Sequence, residues 1–155
     1  MEDILHIDPQ MLVYIEQEVK EKDDILRTMA KRLCSAGYVK ESYEEGIISR
    51  EKIYPTGLYT GSINVAVPHT DCIHVHTDSV VVGILQHPVC FQAMDNPENS
   101  IKVSIVIMLA LKEAHGQLEM LQKVLSLVKE QDELKHILKI KNEADLYPIL
   151  LNYLH

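Results

Sequence analysis

Apolar positions recur at helical spacing along residues 8–33, where Leu12, Ile15 and Val19 are followed by Ile25, Leu26, Met29 and Leu33. The spacing predicts a helix over this stretch, with Asp8 as its N-cap and Pro9 in its first position. Gly37 can close it, since glycine takes the left-handed conformation that ends many helices. Ser42 and Glu45 stand at capping-box spacing ahead of Ile47 and Ile48, so a second helix should follow and end before Pro55. The period then changes. Asn64-Val65-Ala66-Val67 is a short stretch rich in β-branched residues, stopped by Pro68, which places His69 just past a strand end. Residues 80–85 and 102–111 are near-continuous apolar runs, the pattern of central strands covered on both faces. Residues 89–92 can add a short extra strand, and Asp95-Asn96-Pro97-Glu98-Asn99 is a polar loop. Helical spacing returns in Leu118, Leu121, Val124, Leu125 and Val128 on one face, then over residues 132–138 and 143–154, the last with Asn142 as cap. The sum is an α/β fold, a layered sandwich with a small mixed sheet flanked by helices, with residues 1–155 as one domain.

Composition narrows the function. A chain of 155 residues with 46% hydrophobic content can bury one core of ordinary size. Fifteen Lys and Arg against 23 Asp and Glu leave a net charge of -8, which argues against coating a nucleic-acid backbone. The balance suits a basic protein partner instead, with an association rate that falls as salt is added. The longest apolar run, residues 104–111, is far short of the roughly 18 residues that span a bilayer, so no direct membrane insertion is expected. The start, Met1-Glu2-Asp3, is acidic and predicts no signal peptide, and three cysteines without a CxxC fit a reducing compartment. Together these predict a cytoplasmic protein. Eight histidines in a chain with no Trp and one Phe remain to be explained.

The densest set of reactive side chains is His69-Thr70-Asp71-Cys72-Ile73-His74-Val75-His76-Thr77-Asp78. By itself it supports three readings. It can be a polar loop at a sheet edge, with His74 and His76 pointing the same way from an extended segment into water. It can be a metal site built from His69, Cys72, His74 and His76, although the run lacks a known zinc spacing. Or one histidine can act covalently: an imidazole held at a strand end, with one nitrogen fixed by a backbone carbonyl, is a competent nucleophile for phosphoryl groups. Asp71 suits a turn or the orientation of a ring, and His6, His87, His136 and His155 have no convergent partners. Neither Cys72 nor Cys90 has a cationic setting in the sequence that would activate its thiol.

The run Arg50-Glu51-Lys52-Ile53-Tyr54-Pro55-Thr56-Gly57-Leu58, followed by Val65-Ala66-Val67-Pro68-His69, resembles the signature of mannitol/fructose-type EIIA domains of the bacterial phosphoenolpyruvate-dependent sugar phosphotransferase system. The likeness covers most of the chain in order and extends to the Leu-Glu-x-Leu-x-x-Val helix near residue 120. It implies that His69, through Nε2, accepts a phosphoryl group from the phosphocarrier protein HPr and passes it to a cysteine of an EIIB component, which serves an EIIC membrane permease. Arg50 is then the cation near the phosphate; its other reading is a solvated helix-end arginine or a salt bridge to Glu51. An auxiliary histidine is implied at the start of the helix after the last core strand, where the helix N-terminus favours anions; His115 is the candidate, though the family position directly before the leucine is held by Gln117.

The chemistry agrees with that implication. Phosphoryl transfer between side chains needs a nucleophile, in-line access and donors for the equatorial oxygens, and no metal or cofactor is required. Pro68 restricts Val67 to an extended conformation and so fixes where the ring emerges. Backbone N–H groups after His69, the Thr70 hydroxyl and Arg50 can supply the donors. Ser62 and Thr70 depart from the mannitol/fructose pattern; Pro-His-Thr-Asp and the Met94-Asp95-Asn96-Pro97 loop look instead like galactitol-type EIIA, which points to a polyol system. Two other function classes stay open: a nitrogen-type regulatory EIIA acting by phosphorylation-dependent protein binding, and a metal-dependent hydrolase.

Overall fold

The computed structural model of the protein describes residues 11–154, and in it the first apolar group is a strand, not the start of a helix. Strand β1 (Leu12–Ile15) pairs in parallel with β4 (Ser79–Gln92), Leu12 opposite Val82 and Ile15 opposite Leu85. Leu12 enters one core while Val13 and Ile15 enter the other, the alternation of a buried strand. The spacing of residues 12, 15 and 19 also fits a helix, but exposed Glu16-Gln17-Glu18 give a helix no apolar face to continue, and the open edge of β4 takes the segment. Asp8 and Pro9 lie outside the described residues.

Helix α1 (Lys22–Ser35) therefore begins well after the expected point, with Asp23 and Asp24 in its first turn, and buries Ile25, Leu26, Met29 and Leu33. Gly37, at φ 81, ends it as expected. The Tyr38 N–H reaches the Leu33 carbonyl at 3.1 Å and the Gly37 N–H that of Cys34 at 3.0 Å, the paired bonds of a Schellman close. Helix α2 (Ser42–Ile53) stops before Pro55, but the expected capping box does not form. The Ser42 hydroxyl pairs with His74 Nδ1 at 2.7 Å, and Glu45 pairs with Arg27 at 2.8 Å. Both side chains are drawn off by partners distant in sequence.

The sheet runs β1-β4-β5-β3-β2, with β2 (Gly57–Leu58), β3 (Val65–Ala66) and β5 (Ser100–Ala110). It is mixed: β1 is parallel to β4, β4 antiparallel to β5, β5 parallel to β3, and β3 antiparallel to β2. Residues 89–92 do not form a separate strand; they continue β4 beyond an irregularity between Ile84 and Val89. Along the two long strands successive side chains serve opposite cores. Val81, Val106 and Met108 pack with α1 and α2, while Val80, Val82, Ile105 and Ile107 pack with the C-terminal helices.

Those helices are α3 (Ala114–Val128), α4 (Gln131–Lys139) and α5 (Glu143–Leu154); Asn142 caps the last, its Oδ1 accepting the Asp145 N–H at 2.9 Å. The buried stripe of α3 is Met120, Val124, Leu127 and Val128, whereas Leu118 and Leu125, expected on that face, are exposed. The N-caps of α1, α2, α3 and α4 make no side-chain cap bond. A cap is worth about 1 kcal/mol and each fully buried Leu, Ile or Val roughly 1.5–3, so the helices are held by the sheet faces they cover. Among the described residues no helix is long and apolar enough to cross a membrane.

Candidate functional site

Strand β3 is only two residues long, yet the chain beyond it is held closely. The Val67 N–H donates to the Thr56 carbonyl at 3.2 Å, and the Leu109 N–H, at the end of β5, donates to the Pro68 carbonyl at 2.9 Å. Tyr43 of α2 crosses the core to donate its hydroxyl to the Leu109 carbonyl at 2.7 Å, fixing that strand end from the other side. His69 emerges from this frame half-buried, with Nδ1 2.8 Å from the Val67 carbonyl oxygen. A carbonyl can only accept, so Nδ1 carries the proton and Nε2 keeps a free lone pair. Burial lowers the basicity of the ring; the Val67 carbonyl acts in the opposite sense, and the nearby Arg50 charge lowers it further.

Arg50 lies in the last turn of α2 with its guanidinium carbon 4.9 Å from the centre of the Tyr54 ring. Its Nε is buried with no hydrogen-bond partner. The salt bridge to Glu51 does not form, because Glu51 is itself buried and accepts both the N–H and the hydroxyl of Thr56 at 2.7 Å. Burial pushes the Glu51 carboxyl up to about 7, against the pull of the Thr56 donors. The Arg-Glu and Thr-Gly parts of the motif are thus joined by one contact, which turns the chain from α2 into β2. Gly57 is confined there by sterics: a Cβ would lie 2.6 Å from the Gln92 carbonyl oxygen.

A pocket of about 190 Å³ opens beside His69, walled by Leu109, Gln117, Leu118 and Leu121. The structure places His115 elsewhere, 78% exposed, with Nε2 2.9 Å from Glu119 one turn along α3. Gln117 shares the wall of this pocket with His69. Its Nε2 donates to Cys72 Sγ at 3.1 Å and to the Thr70 carbonyl at 3.4 Å, and its Oε1 is buried without a partner. Thr70 is buried, with its hydroxyl packed toward Gly46 of α2. Residues 72–74 form a 3-10 turn, where an extended segment was expected, so His74 and His76 diverge. His74 is held by Ser42 against α2, and His76 is exposed with its N–H on the Tyr38 carbonyl. Among the described residues no three His, Cys, Asp or Glu side chains come together as a metal would require. The Asp71 carbonyl accepts the His74 N–H at 3.3 Å, the turn-forming role. A larger cavity, about 540 Å³, lies beside the middle of β4, at its irregularity, between Ile84 and Ile140, and no histidine lines it.

Sequence reasoning missed Tyr54, for which the i, i+4 spacing of Arg50 and Tyr54 was an available signal. That Gln117 lines the pocket while His115 pairs with Glu119 follows from how α3 lies against the sheet.

A three-layered α/β fold, helices on both faces of one sheet, with a histidine held at a strand end beside an arginine defines a class of site, and comparison with known proteins places it. The family model described as "Phosphoenolpyruvate-dependent sugar phosphotransferase system, EIIA 2" matches residues 8–153. The chain belongs to this family. It is 25% identical over 112 residues to the galactitol-specific EIIA component of Escherichia coli, covering 72% of this chain and 74% of that one. It is 26% identical over 139 residues to the mannitol-specific phosphotransferase enzyme IIA component of Geobacillus stearothermophilus, covering 89% and 90%. Its fold resembles that of E. coli enzyme IIA-Mtl in complex with phosphorylated enzyme IIB-Mtl, with a TM-score of 0.78 at 18% identity over 96% of this chain and 99% of that one. It also resembles the nitrogen regulatory protein IIA-Ntr of Neisseria meningitidis, with a TM-score of 0.70 at 21% identity over 95% and 96%.

Proposed function

We propose that the protein is a cytoplasmic histidine phosphocarrier, a single EIIA unit over residues 1–155, that takes a phosphoryl group from phospho-HPr onto His69 Nε2 and delivers it to a cysteine of a cognate EIIB. The observation that carries this reading is the 2.8 Å contact between His69 Nδ1 and the Val67 carbonyl, which leaves Nε2 as the free nucleophile beside Arg50. In the first step the Nε2 lone pair attacks phosphorus, a new N–P bond forms, and the donor's N–P bond breaks with its electron pair returning to the donor imidazole. No proton has to move at His69. Because Nδ1 keeps its proton on the Val67 carbonyl, the phosphorylated ring is cationic and leaves readily. In the second step a cysteine thiolate attacks phosphorus, the S–P bond forms, and the N–P pair returns to Nε2, restoring the neutral ring. Arg50 offers charge and planar donors to the phosphoryl oxygens. Thr70 is assigned to the phosphate through its backbone N–H, since its hydroxyl faces α2.

The transported sugar on this reading is a polyol such as galactitol, supported by the Pro68-His69-Thr70-Asp71 run and by the galactitol-specific relative. The EIIC permease is an indirect partner. His115, paired with Glu119 away from the pocket, has no part in the reading. The decisive test is incubation with phosphoenolpyruvate, Enzyme I and HPr. An acid-labile, base-stable phosphoryl label is expected on the wild type and absent from His69→Ala; label on the variant would sink the assignment. Onward transfer to a cognate EIIB separates transport from a nitrogen-type regulatory role, in which the phosphorylated chain changes its binding to another protein.

A further inference from the structure

Ser42, Gly46 and Arg50 stand four residues apart on α2 and so share one face of that helix. The chain after His69 lies along this face in the opposite direction. His69 is near enough to Arg50 to feel its charge. A Cβ at Gly46 would lie 3.3 Å from Thr70 Oγ1 and 3.0 Å from His74 Nε2, and Ser42 Oγ meets His74 Nδ1 at 2.7 Å. Just beyond, the backbone is tied down: the Lys40 N–H donates to the His74 carbonyl at 2.8 Å and the His76 N–H to that of Tyr38 at 2.9 Å. Stability does not account for the face. Glycine inside a helix is less stable there than alanine, and an exposed side-chain hydrogen bond adds little to a fold held by apolar burial. Both make sense if the loop has to lie at a fixed place on α2. Gly46 sets how closely residues 70–74 approach the helix, and the bond between Ser42 and His74 sets how far along it they lie.

We propose that His74 is a positioning residue for phosphoryl transfer at His69: clasped to Ser42 and seated on Gly46, it holds residues 70–74 in register along α2, so that the Thr70 backbone N–H and Arg50 meet the same phosphoryl group. The inference rests on the assignment of His69 as phosphoryl acceptor, and deepens it. The two donors belong to different segments of the chain, Arg50 to the helix and the Thr70 N–H to the loop. Among the described residues, the bond from Ser42 to His74 is the one side-chain hydrogen bond that joins those segments. Transfer is sensitive to such placement, since a shift of about 1 Å can cost roughly a hundredfold in rate. His74 acts through the backbone it holds and makes no contact with the phosphoryl group.

The test measures single-turnover acceptance by the full chain over a range of phospho-HPr concentrations, the donor being made with phosphoenolpyruvate and Enzyme I. Ser42→Ala and His74→Phe should each lower the saturating rate about three- to tenfold, with the half-saturating concentration unchanged. The double variant should be no slower than either alone, because the same bond is lost in all three. His74→Asn, whose amide can still pair with the Ser42 hydroxyl, should recover much of the rate. Gly46→Ala removes no bond and favours the helix, yet it pushes the loop outward, so it should slow transfer by a similar factor with no fall in Tm. A merely structural role would not separate rate from Tm in this way. Wild type taking no label on His69 would overturn the acceptor assignment and this inference together. Normal labelling with the variants as fast as wild type would overturn the His74 role alone. The same holds for slowing that only follows a loss of Tm, and for a raised half-saturating concentration at an unchanged saturating rate, which would mark a docking contact.

Discussion

His69 Nδ1 lies 2.8 Å from the carbonyl oxygen of Val67, two residues earlier, on the far side of a buried proline. The contact needs no distant element, since Pro68 sets the extended geometry that brings ring and carbonyl together. What the rest of the fold adds is burial and the charge of Arg50, which together hold the ring neutral.

The pH dependence of phosphoryl acceptance follows. With basicity lowered by burial and by Arg50, His69 stays neutral to pH values below the ordinary 6.5, so the acceptance rate should be flat from pH 8 down past that point. In the unfolded chain the ring takes a proton near 6.5 while the folded ring resists it. His69 therefore subtracts stability as pH falls below 6.5 and has no effect above it. Ring-nitrogen NMR titration checks this; a midpoint at or above 6.5 contradicts it.

Arg50 is held by stacking on Tyr54, with Nε left free for an incoming acceptor. Arg50→Lys keeps the charge but loses the planar fork, and should slow single-turnover transfer from phospho-HPr about tenfold, with Arg50→Ala slower still. Tyr54→Phe should retain most of the rate and Tyr54→Ala part of it. A lysine variant as fast as wild type would mean that charge alone matters.

Glu51 should govern stability between about pH 4.5 and 7. Its carboxyl is pushed up to about 7, so between its ordinary 4.5 and that value the folded form holds a proton the unfolded chain has released. Stability should fall as pH rises through this window, by up to roughly 3 kcal/mol. Glu51→Gln can keep both contacts with Thr56, its carbonyl accepting the N–H and its amide donating to the hydroxyl. The variant should lack the slope and be the more stable form above pH 7. Urea unfolding at pH 5, 6, 7 and 8 measures it, and parallel pH curves for the two proteins would refute the cause.

Two glycines separate steric need from convenience. At Gly57 a Cβ meets the Gln92 backbone oxygen at 2.6 Å, whereas at Gly83 it meets the Met29 sulfur at 2.9 Å, on a flexible side chain. Gly57→Ala should cost about 2–3 kcal/mol and Gly83→Ala about 1 or less, read from denaturant midpoints. The reverse order would show that the turn into β2 yields more easily than the Met29 side chain.

Legibility in the sequence followed locality. The long apolar runs of β4 and β5 were readable because a strand covered on both faces leaves no polar positions, and Gly37 and Asn142 were readable because each acts within its own turn. β1 was not, because four apolar residues suit either period and the choice rests with an edge about 70 residues away. The Ser42 capping box failed for a similar reason: His74 competes for the hydroxyl from 32 residues along the chain.

By itself the sequence singled out His69 as the candidate nucleophile, placed by Pro68 just past a strand end, while the contact of its Nδ1 with the Val67 carbonyl, which leaves Nε2 unengaged, came from the structure. It also determined the layered α/β class, through the change of apolar period along the chain. Only the tertiary structure decided what surrounds that histidine. Residues 115 and 117 point roughly 200° apart around a helix, and how α3 packs on the sheet turned Gln117 inward and left His115 with Glu119. Arg50 was free to face the site because Glu51 was already engaged by Thr56. Spacing along a chain specifies which residues share a face; which face meets which partner is set by the packing of elements far apart in sequence.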